Sequence, residues 1–179
     1  AATKAAAEIG IAPEVVDFIQ PEGYLIARFI RGREISVDEM RQENTIHEIA
    51  RALKKIHALA PIRATFSPFD VVRAYDKLAR EHGVNTFPEN YARLREHMNE
   101  IETRFTFDAL RPVLCHNDLL NGNFLRDENN HIRILDWEYA GMGDLFFDLA
   151  NFSAHHELND EQIQELLDAY FDNPLPKHF

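Results

Sequence analysis

Cysteine occurs once in 179 residues, at Cys115, so no disulfide can close within the chain and a reducing compartment suits it. No uninterrupted apolar run approaches the length that spans a bilayer, and no charged-then-apolar leader opens the chain; together these predict a cytoplasmic protein without a membrane segment. Positive charge is in deficit. Against 30 Asp and Glu stand 19 Lys and Arg, a formal net charge of -11, which disfavours general nucleic-acid binding and is permissive for a cationic substrate. Also missing are internal repeats, low-complexity tracts, zinc-ligand spacings, a glycine-rich phosphate loop and a G-x-S-x-G turn. What remains, with 45% hydrophobic and 27% charged residues, is an ordinary globular chain, long enough for one domain or for one domain and part of another.

Along the chain the hydrophobic pattern changes character several times. Residues 1–10 have high helix propensity and stop at Gly10, with Pro13 just beyond; no capping residue introduces Ala1, so this helix is expected to begin upstream. Glu14 to Ile19 and Tyr24 to Ile30 read as strands joined by the turn Gln20-Pro21-Glu22-Gly23, and Arg31-Gly32-Arg33 ends the second. From Ser36 to Ala60 the period is helical, with Ile46, Ile49, Ala50, Leu53, Ile56 and His57 on one stripe and Arg51, Lys54 and Lys55 on the other face. His57, closing an apolar stripe, is expected to be a hydrogen-bonded structural group. After a loop to Pro68, helices are predicted over Asp70 to His82 and Pro88 to Phe105, then from Asp144 through Asn151, and from a strong cap at Asn159 to Phe171. Pro174-Leu175-Pro176 is an unusual close, and the chain reads as cut at both ends.

The chemistry concentrates between Leu114 and Asn151. Val113-Leu114-Cys115 is a short apolar run broken by His116-Asn117-Asp118; Asn123-Phe124-Leu125 is apolar again, 127–130 is a polar turn, and Ile132 to Leu135 alternates like a half-buried strand. This predicts a hairpin that folds Asp136 back beside Asn123 and Asp118. Three oxygen-bearing side chains would then converge on one hard cation, for which magnesium is the natural candidate.

H-N-D-L-L-N-G-N, followed by L-D-W-E-Y-A-G-M-G-D and F-D-L-A-N, resembles the choline/ethanolamine kinase and aminoglycoside phosphotransferase superfamily, most closely its bacterial choline-kinase-like branch. The dense agreement covers about forty residues, and Leu53-Lys54-Lys55-Ile56-His57 looks like the family's Leu-x-x-Leu-His segment. The resemblance implies an α+β, protein-kinase-like fold: a mostly helical large lobe with a catalytic β-hairpin over residues 34–179, truncated at its C-terminus, and a small-lobe remnant with the interlobe linker over residues 1–33. It implies ATP as co-substrate with Mg2+, and Asp118 as the base that orients a substrate hydroxyl. Asn123 and Asp136 become the metal ligands. Phe29 and Ile30, at the linker, become candidates to meet the adenine, and His116 and Asp148 become structural supports of the catalytic loop. Trp137, Glu138 and Tyr139 are candidates to hold an ammonium group by cation–π and charge attraction.

The implied substrate is a small cationic alcohol, choline or ethanolamine first, with thiamine and aminoglycosides as alternatives. His155-His156-Glu157 stands where eukaryotic choline kinases carry a glutamate and aromatics, a departure that leaves these alternatives open. No lysine-bearing strand precedes Ala1 to clamp the phosphates, and Lys4 lies on a helix, so this chain alone is expected to be inactive. A non-catalytic binding module derived from a kinase is the reading of another class.

Overall fold

The computed structural model describes residues 1–104 and 111–172. The chain divides into two compact units, one formed by Ala1–Thr65 with Pro112 onward and the other by Phe66–Arg111.

The second unit is a pair of helices, α4 (Pro68–Glu81) and α5 (Tyr91–Arg104). Ser67 begins the first: its hydroxyl accepts from the Asp70 amide while Pro68, which has no N–H to leave unpaired, fills the first turn. Arg73 joins the helices by donating to Glu102 of α5, and Asp76 accepts from both Arg80 and the Tyr91 hydroxyl. The predicted end of α5 at Phe105 lies outside the described residues, as does Pro174 to Pro176.

The first unit starts with α1 (Ala2–Glu8), which stops where Gly10 takes a left-handed φ of 75°. Next comes the expected hairpin, β1 (Val15–Ile19) antiparallel to β2 (Tyr24–Ala27). The strand β2 ends at Ala27, short of the predicted Ile30, and leaves Phe29 86% exposed. Residues 31–33, expected only to end that strand, instead form most of β3 (Gly32–Glu34), which pairs with the first strand of the later hairpin. Gly32 makes this possible, since a Cβ there would sit 2.5 Å from the Arg126 carbonyl oxygen.

The single helix expected from Ser36 to Ala60 is two. Ser36 caps the one-turn α2 (Val37–Met40), the chain breaks at Arg41-Gln42, and α3 (Glu43–His57) follows. The predicted stripe is the core: Ile46, Ile49, Ala50, Leu53 and Ile56 are all buried, and each complete Ile or Leu burial contributes roughly 1.5–3 kcal/mol.

β4 (Val113–Cys115) and the hairpin β5 (Phe124–Asp127) and β6 (Ile132–Ile134) form as the pattern predicts, giving a three-stranded sheet in the order β3-β5-β6. An unpredicted strand, β7 (Gly141–Gly143), pairs antiparallel with β4. Asp144 caps α6 (Leu145–His155), one turn longer than expected, and Asn159 with Gln162 forms a capping box on α7 (Asp160–Phe171). Arg126, 6% exposed, fastens the hairpin to the preceding helices through Glu39 of α2 and Glu48 of α3. Among the described residues no helix is long and apolar enough to cross a membrane.

Candidate active site

The strand β4 delivers the chain into a loop, 116–123, whose shape is dictated from beneath by α6. Asp148 has 0% exposure; its carboxylate accepts from the His116 amide at 2.8 Å, the Asn117 amide at 2.7 Å and His57 Nε2 at 3.1 Å. His57 is held in turn by the Tyr170 hydroxyl, 2.7 Å from its Nδ1. One turn along the same face of α6, Asn151 Oδ1 accepts from the Leu119 amide at 2.7 Å. A loop that would otherwise bury unpaired N–H groups is therefore satisfied by two side chains of one helix. Asn117 turns through a φ of 68° and donates from Nδ2 to the Tyr139 carbonyl at 3.0 Å.

His116 fixes the hairpin to this loop. Its Nδ1 accepts from the Asp118 amide at 3.3 Å and its Nε2 lies 2.8 Å from the Leu135 carbonyl. Only the neutral ring with its proton on Nε2 satisfies both. Burial, opposed by the nearby Asp148 charge, lowers the His116 pKa from its ordinary value and keeps the ring in that form.

Two of the predicted trio, Asp118 and Asn123, meet directly. Asn123 donates from Nδ2 to the Asp118 carbonyl at 2.8 Å and to its carboxylate at 3.0 Å, while the Leu135 amide donates to the Asn123 carbonyl at 2.8 Å. Asp136 follows Leu135 directly, with a left-handed φ of 57° and an exposed side chain. A non-glycine residue held in that backbone region costs energy and points to a functional constraint.

The other candidates divide. Glu138 is exposed and Tyr139 half-buried. Trp137 is a correction to the expected ammonium contact: it is 7% exposed, its indole N–H donates to the Ile134 carbonyl at 2.9 Å, and the ring packs edge-on against His116 at 4.7 Å. Trp137 belongs to the buried core. Phe29 and the half-buried Ile30 lie between β2 and β3, and β3 runs beside β5 with Glu34 opposite Leu125. Sequence reasoning missed Asn117 and Asn151. The signal for the second was Asp148 and Asn151 at an i, i+3 interval, one polar face on an otherwise apolar helix.

Burial also lowers the pKa of His156, whose Nδ1 donates to the Phe152 carbonyl at 2.8 Å while its buried Nε2 has no hydrogen-bond partner among the described residues. For both histidines the unfolded chain takes up a proton that the native state refuses once pH falls below the ordinary value of 6.5. Their stabilising effect is whole above that pH and is lost as pH falls through the lowered native values. The thermal midpoint should therefore drop between about pH 7.5 and about pH 5.5, and drop less in His156→Leu. Scanning calorimetry at the two pH values checks this, and equal midpoints would contradict it.

A family model described as choline/ethanolamine kinase matches residues 3–164. The probable choline kinase 1 of Arabidopsis thaliana is 32% identical over 130 residues, covering 70% of this chain and 38% of that protein. A choline/ethanolamine kinase family protein from Mesorhizobium loti superposes with a TM-score of 0.81 at 28% identity, covering 98% of this chain and 59% of that one. The choline kinase LicA from Streptococcus pneumoniae, 23% identical, shares the fold with a TM-score of 0.81 over 97% of this chain and 62% of its own. The chain thus spans less than two thirds of the length of these relatives.

Proposed function

Because this chain belongs to the choline/ethanolamine kinase family and has its protein-kinase-like fold, we propose that the complete protein transfers the γ-phosphate of ATP to the hydroxyl of a small cationic alcohol, choline or ethanolamine. The observation that supports this best is the Asn123 amide gripping Asp118 while the Leu135 backbone, next to Asp136, bonds to both Asn123 and His116. Asp118 then accepts a hydrogen bond from the substrate hydroxyl and aims it at the phosphate. Its own geometry is fixed by the His116 ring and by Asn123, so little reorganisation accompanies the reaction.

The residues present fit a magnesium ion. Asn123 has its amide nitrogen committed to Asp118, which leaves Oδ1 as its ligand atom, and Asp136 offers an exposed carboxylate; both are the hard oxygen donors that Mg2+ selects. When bound, the ion would neutralise charge on the phosphate oxygens. Phe29 and Ile30 are assigned to the adenine. Glu138 and Tyr139, without Trp137, are assigned to the ammonium group, where a carboxylate and an aromatic face both attract a cation. Residues 1–33 are read as part of the small lobe and 34–179 as large lobe.

Calorimetric titration of the complete protein with Mg-ATP tests the assignment. Asp136→Ala should weaken binding by at least about tenfold, the usual scale for losing a group that holds a metal in place. Unchanged affinity would remove Asp136 from the site. Turnover compared across choline, ethanolamine, thiamine and an aminoglycoside then identifies the alcohol.

A further inference from the structure

Away from the loop and hairpin, α3 and α7 bring together a second group of metal-ligating side chains. Glu43 and His47 stand one helical turn apart on α3, and Glu165 reaches them from α7. Their nearest ligand atoms, two carboxylate oxygens and an imidazole nitrogen, all lie within 4.8 Å of one another. His47 Nε2 is already in direct contact with Glu165 Oε1. Glu43 is exposed, and the side chains of His47 and Glu165 are 33% and 39% exposed, so an ion can enter from solvent.

We propose that Glu43, His47 and Glu165 form a binding site for a divalent transition-metal ion of the zinc class, joining α3 to α7. The donor set decides the class. Mg2+ and Ca2+ prefer shells built from oxygen, whereas one imidazole with two carboxylates is a common set for Zn2+, with a fourth position left for water. Two carboxylates also carry the charge that offsets the dication. The i, i+4 interval on one helix gives two ligands a common direction, and Glu165, from another helix, supplies the third. Small side-chain rotations suffice to open the His47 and Glu165 contact around an ion. The sequence does not show this site as a spacing motif because its third ligand is 118 positions from the second.

The site uses none of the residues assigned to phosphate transfer, so its test is independent of that reading. Zn2+ is titrated into the chain against a chromophoric chelator, in excess Mg2+ to occupy oxygen-rich sites. One equivalent should bind, and the thermal midpoint should rise by about 5 °C at saturation because the ion binds only the folded arrangement. His47→Gln and Glu165→Gln should each weaken that binding at least about tenfold, while His155→Gln, at an exposed histidine elsewhere, should not. If either ligand variant fails to fold, Co2+ titration of the unaltered chain followed by NMR decides the matter: the His47 ring signals should shift first. Zinc affinity unchanged in His47→Gln, competition by Mg2+, absence of binding, or a His47 ring untouched by Co2+ would overturn the proposal.

Discussion

Asp118→Asn should lower turnover of the complete protein by about two to four decades while leaving ATP affinity nearly unchanged, the range expected for removing a positioned base. The substitution keeps the volume and keeps an oxygen that can accept from Asn123 Nδ2, now 3.0 Å from the carboxylate, so the loop should keep its form. What disappears is the negative charge and one acceptor facing the substrate hydroxyl. A loose transition state asks little proton abstraction of the side chain early on, so the loss falls mainly on orientation. Steady-state kinetics with calorimetry for the nucleotide separates the two effects, and near-normal turnover in the variant would show that Asp118 is not the positioning group.

Asp148→Ala should be the most destabilising single change near the site. The variant leaves the buried His116 and Asn117 amides without their acceptor and leaves His57 Nε2 without its carboxylate partner. Each orphaned buried donor costs about 1–3 kcal/mol, so a loss of about 3–5 kcal/mol is expected, comparable to breaking a buried ion pair. Denaturant unfolding measures it, and a loss under about 1 kcal/mol would mean that water reaches those amides. The effect should be much larger than that of Asn151→Ala, which frees one amide only.

The hairpin was legible because its determinants are local: alternation on each side of a polar turn places Asn123 and Asp136 at neighbouring strand ends whatever surrounds them. The stripe on α3 was legible for the same reason. The strand β7 was not, since Gly-Met-Gly has little strand propensity and exists as a strand through its pairing with β4. Nor was β3, a three-residue segment without an apolar signal that is drawn into the sheet by the hairpin. The break between α2 and α3 was hidden because helical periodicity runs through it, and Ser36 caps only one turn. Trp137 departs from its expected place for a backbone reason: the left-handed Asp136 interrupts the alternation, so the side chain after it falls inward.

The two occupied nitrogens of His116 limit where a proton can travel. Nδ1 already receives the Asp118 amide, and Nε2 already gives its hydrogen to the Leu135 carbonyl, so the ring has no vacant lone pair with which to take a hydrogen from Asp118. The wire ends there. A proton taken from an alcohol by Asp118 in its proposed role would have to depart outward, with the phosphorylated product or to bulk water, and the protein interior would keep the same charge throughout a turnover.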